Sequence, residues 1–260
     1  MNPLPCHKFP FGVTECSPHS IPELLAEVRV LLTDKTLRPR GILCLNSHIY
    51  NLACDDEQLR ASLNSARIVA ADGMAIVWAA RLLGCGLSER CNMTEAYHAF
   101  LADSSMPPCN GILIGCSSAE AEAATTRAAA AAGPCQITHA YSGFLSDQEY
   151  REILAHHSTA DFIFLGMGSP RTERMATLAS ELCPQAIVWG IGGGTIRIEA
   201  GTMNEAPLLW RRMGLQWLHR LASEPRVLWR RYLLGNPRFV LRMLRFGWRR
   251  RDRQDQPPPR

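Results

Sequence analysis

The chain has 260 residues, of which 47% are hydrophobic and 20% charged, a composition that excludes wholly disordered, collagen-like and coiled-coil proteins. Its length predicts one large domain, or one domain with an appendage. The charge is uneven, because residues 1–210 carry a net charge of −7 and residues 211–260 a net charge of +11. An acidic body with a basic end predicts an anionic partner surface.

The N-terminal residues and the cysteines indicate the cellular compartment of the protein. Residues 1–5 contain two prolines where a signal peptide needs an apolar core, and the ten cysteines form no Cys-x-x-Cys pair. We therefore expect reduced thiols in a cytoplasmic protein. No metal site is expected, since the eight histidines form no His-Glu-x-x-His motif.

Strand and helix patterns alternate along most of the chain. Residues 1–20 show no period and are predicted to be an irregular arm. Short apolar runs then predict strands at 42–46, 67–71, 111–115, 136–140, 161–166 and 186–190. Helical patterns between them predict helices at 22–32, 56–65, 73–83, 94–102, 118–132, 148–156 and 171–182. Continuous apolar runs are typical of parallel strands, so residues 21–207 are expected to form a doubly wound, mainly parallel, Rossmann-like α/β domain.

The C-terminal part has a different pattern. Residues 208–249 are helical and rich in arginine, with breaks at Glu224-Pro225 and at 235–237, and residues 250–260 are predicted to be disordered. In the last helix Arg238, Arg242, Arg245 and Arg249 recur at helical spacing beside apolar residues. This basic amphipathic pattern is typical of a membrane interface.

Three interpretations of this basic helical appendage stay open. It could be a charged face that packs on the body, a nucleic-acid-binding segment, or a segment that binds anionic lipid. Eleven net positive charges, on helices that also carry tryptophan and phenylalanine, favour lipid.

Three loops are placed where an open α/β sheet binds ligands, at the carboxyl ends of predicted strands. They are residues 71–73, 166–170 and 190–195. Glycines let backbone amides approach a phosphate, so two glycine-rich loops predict a ligand with phosphates. The alternative is that these glycines serve tight turns alone. A nicotinamide site fits less well, because the first strand–helix turn lacks Gly-x-Gly-x-x-Gly.

Asp72 is the acid best placed for catalysis, since it follows a strand and precedes a helix. Its alternative role is a helix N-cap, which the residues alone favour. Glu173 lies one turn inside the helix after the second glycine loop, where it could face a ligand or interact with the helix dipole. No nucleophile–base pair is apparent.

Three groups of residues carry a family resemblance. They are residues 64–73 with 77–84, residues 165–171 with Glu173, and residues 206–239 around Met213-Gly214-Leu215-Gln216-Trp217-Leu218-His219-Arg220-Leu221 and Gly235-Asn236-Pro237-Arg238-Phe239. Together they resemble the WecG/TagA/CpsF glycosyltransferases (glycosyltransferase family 26) from about residue 41 to residue 239. The resemblance implies a metal-independent, inverting transferase without a cofactor. It would move a sugar from a UDP-sugar to a polyprenyl-diphosphate-linked acceptor in bacterial cell-surface or exopolysaccharide synthesis.

The resemblance also implies roles for residues. Asp72 becomes the catalytic base rather than a cap. Donor-binding positions are Asn46, Gly73, Gly166, Gly168, Thr172, Glu173, Gly192 and Gly193, and positions for the acceptor diphosphate and the membrane are Arg220, Arg226, Arg230 and Arg231. The implied location is the inner face of the cytoplasmic membrane, bound peripherally to anionic lipid. No nucleic-acid partner is expected, and a homo-oligomer stays open.

Five departures from the family pattern predict a different donor sugar or acceptor, with loss of activity as the alternative. The family usually has glutamine at Thr172, Gly-Thr-Asp where this chain has Met93-Thr94-Glu95, arginine at Glu205, and threonine or serine at Cys44. It also has a phenylalanine–aspartate pair that residues 194–199 of this chain lack. Two functions from other classes are the alternatives. A nucleotide-dependent oxidoreductase would bind nicotinamide, and a nucleic-acid-binding module would show salt-dependent affinity.

Overall fold

Eight β-strands lie in the part of the chain that the structure, a computed structural model, describes (residues 8–87, 89–130 and 133–254). They are β1 Phe9–Phe11, β2 Thr14–Cys16, β3 Gly41–Leu45, β4 Ile68–Ala71, β5 Cys109–Gly115, β6 Cys135–Tyr141, β7 Phe162–Gly166 and β8 Ile187–Gly190. The last six form one sheet in the order β4-β3-β8-β7-β5-β6, and every neighbouring pair is parallel. This confirms the predicted doubly wound α/β fold and its six strands.

The strands β3, β4, β7 and β8 are buried on both faces of the sheet, which explains their continuous apolar runs. Alternate residues of a strand point to opposite faces. Leu43 of β3 therefore packs in one core layer with Val69, while Ile42 packs in the other layer with Ile68. A strand buried on two sides needs apolar residues at every position.

Nine helices flank the sheet or lead into it within residues 8–207, as far as these are described. They are α1 Ile21–Thr33, α2 Ser47–Asp55, α3 Glu57–Ser65, α4 Met74–Leu82, α5 Met93–Ala102, α6 Ser118–Ala130, α7 Asp147–His156, α8 Arg171–Leu182 and α9 Gly193–Glu199. Local signals fix some starts, since Ser20 with Glu23 forms a capping box on α1. The sequence missed α2 and α9. Residues 131 and 132, the predicted end of α6, lie outside the described residues.

The prediction of an irregular N-terminal arm is wrong for residues 9–16, which form an antiparallel hairpin. Gly12 takes a positive φ of +65° at its turn, and Phe11 is fully buried. The backbone of Ser17 then donates to the Val69 carbonyl of β4 (2.8 Å). Strands of three residues, one of which contains Pro10, are too short to show an alternating pattern, so tertiary contacts decide this hairpin. Residues 1–7 lie outside the described residues.

The chain from Leu208 is helical. Its helices are α10 Leu208–Arg212, α11 Gln216–Ser223, α12 Pro225–Trp229 and α13 Gly235–Gln254, and a π-helical turn, Arg230–Leu234, joins the last two. The predicted break at 235–237 is therefore wrong. Pro237 has no N–H to donate, yet the chain continues from the wider π-helical turn into α13. Asn51 Nδ2 of α2 also donates to the Gly235 carbonyl (2.7 Å). The predicted disorder is wrong for residues 250–254; residues 255–260 lie outside the described residues.

The C-terminal helices (residues 208–254) pack on the sheet domain. Phe239 and Met243 of α13 are buried in the same core layer as Tyr50. Arg238 and Arg242 both bind the Asp55 carboxylate, at 3.0 and 2.8 Å. Part of the basic stripe therefore faces the protein, as the packing interpretation expects. Within the described ranges, no helix has the length and apolar character needed to cross a membrane.

Candidate active site

A cavity of about 420 Å³ lies between the carboxyl end of the sheet and the C-terminal helices. Its lining comes from the loops after β3, β4 and β8, from α4, from the start of α5, and from α11 to α13. This volume is within the range of small-ligand sites, about 300–1,000 Å³. The cavity joins residues that are far apart in the sequence.

Asp72 lies at the wall of this cavity, directly after β4. Gly73, with φ +127°, takes the N-cap position of α4, and no side chain caps this helix. The N-cap interpretation of Asp72 is therefore wrong. Its Oδ1 instead accepts a hydrogen bond from Asn92 Nδ2 (2.8 Å), and its backbone N–H donates to the Leu45 carbonyl. The carboxyl group is thus fixed toward the loop before α5.

The surroundings of Asp72 make its carboxylate more basic. Burial raises the pKa of Asp72 above its ordinary value. Four groups oppose this by favouring the charged form: Arg90, the backbone amide of Met93, Arg231 and Arg220. A carboxylate with a raised pKa on a cavity wall is suited to accept a proton from a bound hydroxyl group.

Arg220 and Arg231 face Asp72 from the C-terminal helices. Their Nε atoms are buried and have no hydrogen-bond partner among the described residues. Burial lowers the pKa of Arg231, and the neighbouring Arg220 lowers it further. Two such guanidinium groups repel each other, so the arrangement favours binding of an anion between or beside them.

Arg226 and Arg230 lie elsewhere. Both are exposed, neither lines the cavity, and the Arg230 guanidinium stacks on the Trp229 ring at 5.3 Å. Of the four predicted acceptor arginines, the structure brings Arg220 and Arg231 to Asp72 and leaves the other two on the surface.

The glycines of the loops 166–170 and 190–195 allow close packing at the carboxyl end of the sheet. A β-carbon at Gly166 would lie 2.3 Å from Ile196 Cδ1, and one at Gly193 would lie 3.1 Å from the Gly166 carbonyl oxygen. These two glycines thus have a packing reason, as the turn-only alternative expects. Neither lines the cavity, whereas Gly73 and Gly194 do.

Gly168 and Gly192 have positive φ angles of +78° and +83°, which an L-residue rarely adopts. Neither lines the cavity. The backbone N–H of Gly192 already donates to the Leu165 carbonyl (3.2 Å). Their role in donor binding stays a prediction.

Thr172 and Glu173 are buried beneath the second glycine loop. The Thr172 hydroxyl accepts from the Met167 N–H (3.1 Å), and the Ser169 hydroxyl donates to Glu173 Oε1 (2.6 Å). Burial raises the pKa of Glu173. Both side chains hold the loop in shape and lie away from the cavity lining.

Asn46 lines the cavity and also caps α2, since its Oδ1 accepts from the backbone N–H of His48 (3.1 Å) and of Ile49 (3.0 Å). Burial, with Arg231 nearby, lowers the pKa of His48 to about 4, so this imidazole is neutral at pH 7. In the described ranges, no three His, Cys, Asp or Glu side chains are arranged to hold a metal ion.

The lining also includes polar residues that were not predicted as site residues, among them Arg90, Asn92, Gln216 and Asn236. The Thr94 and Thr195 hydroxyls hydrogen-bond each other at 2.8 Å and join the α5 and α9 sides. A signal for Asn92 was present, because Asn followed three residues later by Glu95 is a helix-start pattern.

Two departures from the family pattern meet at one arginine. Arg211 binds Glu205 at 2.7 Å and approaches Glu95 at 3.6 Å. Glu95 also binds Arg90 at 2.7 Å, so this network reaches the cavity lining. Cys44 lies near Asp72 at the end of β3, where burial raises the pKa of its thiol.

The sequence model described as the glycosyl transferase WecG/TagA/CpsF family matches residues 11–253, nearly the whole chain. This match includes Asp72 and the C-terminal helices, and it favours a transferase over the oxidoreductase and nucleic-acid alternatives. The chain belongs to the WecG/TagA/CpsF family of glycosyltransferases.

Proposed function

We propose that this protein is an inverting glycosyltransferase that moves a sugar from a UDP-sugar to a polyprenyl-diphosphate-linked acceptor in bacterial cell-surface or exopolysaccharide synthesis. One observation carries the proposal. The Asp72 carboxylate and the guanidinium groups of Arg220 and Arg231 line the same cavity. A proton acceptor beside a cationic pair is the set of groups that transfer to a diphosphate-bearing alcohol requires.

Asp72 acts as the general base. The acceptor hydroxyl must lose its proton as its oxygen attacks the anomeric carbon, and Asp72 takes that proton. General-base catalysis typically contributes about 10²–10⁴-fold in rate. Asn92 orients the carboxylate through its hydrogen bond to Oδ1. A single displacement inverts the anomeric carbon and needs no enzyme nucleophile.

Arg220 and Arg231 hold the acceptor's diphosphate. Arginine is always charged and binds phosphate oxygens in a bidentate manner. A β-carbon at Gly194 would lie 3.4 Å from an Arg220 guanidinium nitrogen, so Arg220 packs against the loop after β8. The acceptor would thereby be held between the C-terminal helices and the sheet end.

The donor binds at the strand ends beside the cavity. We assign its diphosphate to the glycine-rich loops after β7 and β8, where backbone amides can approach it. Such donors stabilise the charge that develops on the leaving UDP. Gly194, which follows β8, lines the cavity, as do Asn46 and Gly73 at the ends of β3 and β4.

The C-terminal helices bind the protein peripherally to anionic lipid at the inner face of the cytoplasmic membrane. Most exposed large apolar side chains of the described residues lie from Leu208 onward, including Leu209, Val227 and Leu233. Apolar side chains among arginines suit the interface of an anionic bilayer.

The test is an assay of UDP release by the full chain with a panel of UDP-sugars and polyprenyl-diphosphate glycans. Asp72→Asn is expected to lower turnover by about 10²–10⁴-fold because it removes the base, while donor binding, measured by calorimetry, is retained. Asp34→Asn is the matched control, since Asp34 lies between α1 and β3 at the opposite end of the sheet. Turnover of Asp72→Asn equal to that of the control would contradict the proposal.

A further inference from the structure

An apolar trough extends the cavity away from its charged groups. Its walls are one face of α4 and one face of α13. The lining residues are Met74, Trp78 and Leu82 on α4, and Phe239, Val240, Met243 and Leu244 on α13. Their spacing of one, three or four positions puts each set on one side of its helix.

The apolar trough starts at the charged end of the cavity. Met74 begins α4 two positions after Asp72, and Asn236, at the start of α13, accepts from the Ser47 hydroxyl that follows β3 (2.8 Å). At the far end, a β-carbon at Gly247 would lie 3.1 Å from Leu83 Cδ2. The two helices therefore run side by side away from Asp72, and Met74 to Leu82 covers about 12 Å.

The apolar trough is open. Trp78 is 54% exposed and Leu82 65% exposed, while Val240 and Leu244 across from them are 52% and 53% exposed. A continuous apolar surface of this kind is typical of a binding site. Because the trough begins beside Arg220 and Arg231, its charge pattern fits a ligand that joins an anion to an apolar chain.

We propose that the apolar trough binds the first isoprenyl units of the acceptor while Arg220 and Arg231 bind its diphosphate. This rests on the proposed function and adds a site for the lipid chain within the protein. The chain would then leave the bilayer partly when the acceptor binds. Since each buried methylene adds to affinity, affinity rises with chain length until the trough is filled.

Calorimetric binding of methyl diphosphate and of farnesyl diphosphate to the full chain, below the micelle concentration, tests the proposal. Farnesyl diphosphate is expected to bind at least about tenfold more tightly. Trp78→Ala and Leu82→Ser are each expected to lower the ratio of the two affinities by about fivefold or more. Because both side chains are more than half exposed, these variants are expected to fold. The ratio is also insensitive to the fraction of folded protein.

Trp248→Ala is the matched control. Trp248 is also on α13 and is 73% exposed, but it does not line the cavity. Its loss is expected to leave the affinity ratio unchanged. A wild-type ratio near one would overturn the proposal, as would equal effects of Trp78→Ala and Trp248→Ala, which would assign both side chains to a general membrane surface.

The UDP-release assay separates this proposal from the proposed function. Transfer without a farnesyl advantage overturns the trough alone. A farnesyl advantage that depends on Trp78, without transfer to any acceptor, overturns the transferase proposal and leaves a lipid-diphosphate binding site.

Discussion

The sheet domain and the C-terminal helices differ in how many of their apolar side chains are exposed. Every residue of β7 and of β8 is buried, whereas α11 has no buried residue. Tryptophans show the same contrast, since Trp189 in the sheet is fully buried and Trp248 on α13 is largely exposed. The first region is stabilised by its own core, and the second keeps apolar surface available for other molecules.

The arginines of the two regions also differ in their partners. In the sheet domain Arg67 pairs with Glu27, and Arg40 donates to the carbonyls of Leu31 and Asp34. The buried Nε atoms of Arg40, Arg220 and Arg231 all lack a partner among the described residues, so the difference lies in the terminal nitrogens. Those of Arg40 bind carbonyls, whereas the Arg231 guanidinium stacks on the Tyr232 ring (5.5 Å) and, like Arg220, lines the cavity. The first set of charges therefore stabilises the fold, while the second is placed for a ligand.

The largest expected effect is on the stability of the core of the sheet domain. Trp189→Ala should lower the free energy of unfolding by about 3–5 kcal/mol, because it removes a fully buried ring between the α/β layers. Trp248→Ala should change it by less than about 0.5 kcal/mol. Urea unfolding of both variants measures the difference, and equal losses would contradict the comparison.

The next effect concerns the unpaired charges. Arg231→Gln should lower kcat/KM for the acceptor by about 10–150-fold, the effect of losing a charged hydrogen bond worth about 1.5–3 kcal/mol. The free energy of unfolding should stay the same or rise, since burial already disfavours this charge. Arg151→Gln, at an exposed site on α7, is the control. A stability loss in Arg231→Gln would assign that side chain to the fold.

The pH dependence of kcat/KM tests the role of Asp72 as the base. Its pKa is raised by burial, so the base is protonated, and activity is lost, as pH falls through a value above that of an ordinary aspartate. Arg90→Gln should move this acid limb of kcat/KM to still higher pH, because Arg90 favours the charged carboxylate. A limb that stays in place would show that another group titrates.

The smallest effect concerns the attachment of α13. Asp55→Asn removes the carboxylate that binds Arg238 and Arg242. Asp55 and Arg238 are more than half exposed, so the loss of stability should be below about 1 kcal/mol. Hydrogen exchange should nevertheless increase in α13 and remain unchanged in β7. Unchanged exchange in α13 would show that apolar packing alone holds it.

The strands could be predicted because their burial on both faces leaves a continuous apolar pattern. The hairpin at residues 9–16 could not, since three-residue strands owe their pairing to contacts with distant residues such as Tyr50. The prediction of a helix break at 235–237 was wrong for a related reason. A π-helical turn leads directly into α13, and a hydrogen bond from the distant Asn51 holds the Gly235 carbonyl.

For the site, the sequence identified Asp72, but the residues alone favoured a cap. Gly73 takes that position instead, and the partner of the carboxylate, Asn92, lies twenty residues away. The glycine pattern was harder to interpret, because Gly166 and Gly193 are explained by close packing. Arg220 and Arg231 lie near Asp72 because α11 and the π-helical turn pack over the carboxyl end of the sheet. No local sequence pattern predicts this packing.

Arg211 links Glu95 and Glu205, two positions where this chain departs from the family pattern. Replacing Glu205 alone by the usual arginine would set it beside Arg211, and Glu95, which already binds Arg90, would be the remaining carboxylate of this network. Protein engineers who wish to exchange substrate preference between relatives should therefore transplant these three residues together. Evolution faces the same constraint, so substitutions here should arise as a linked group.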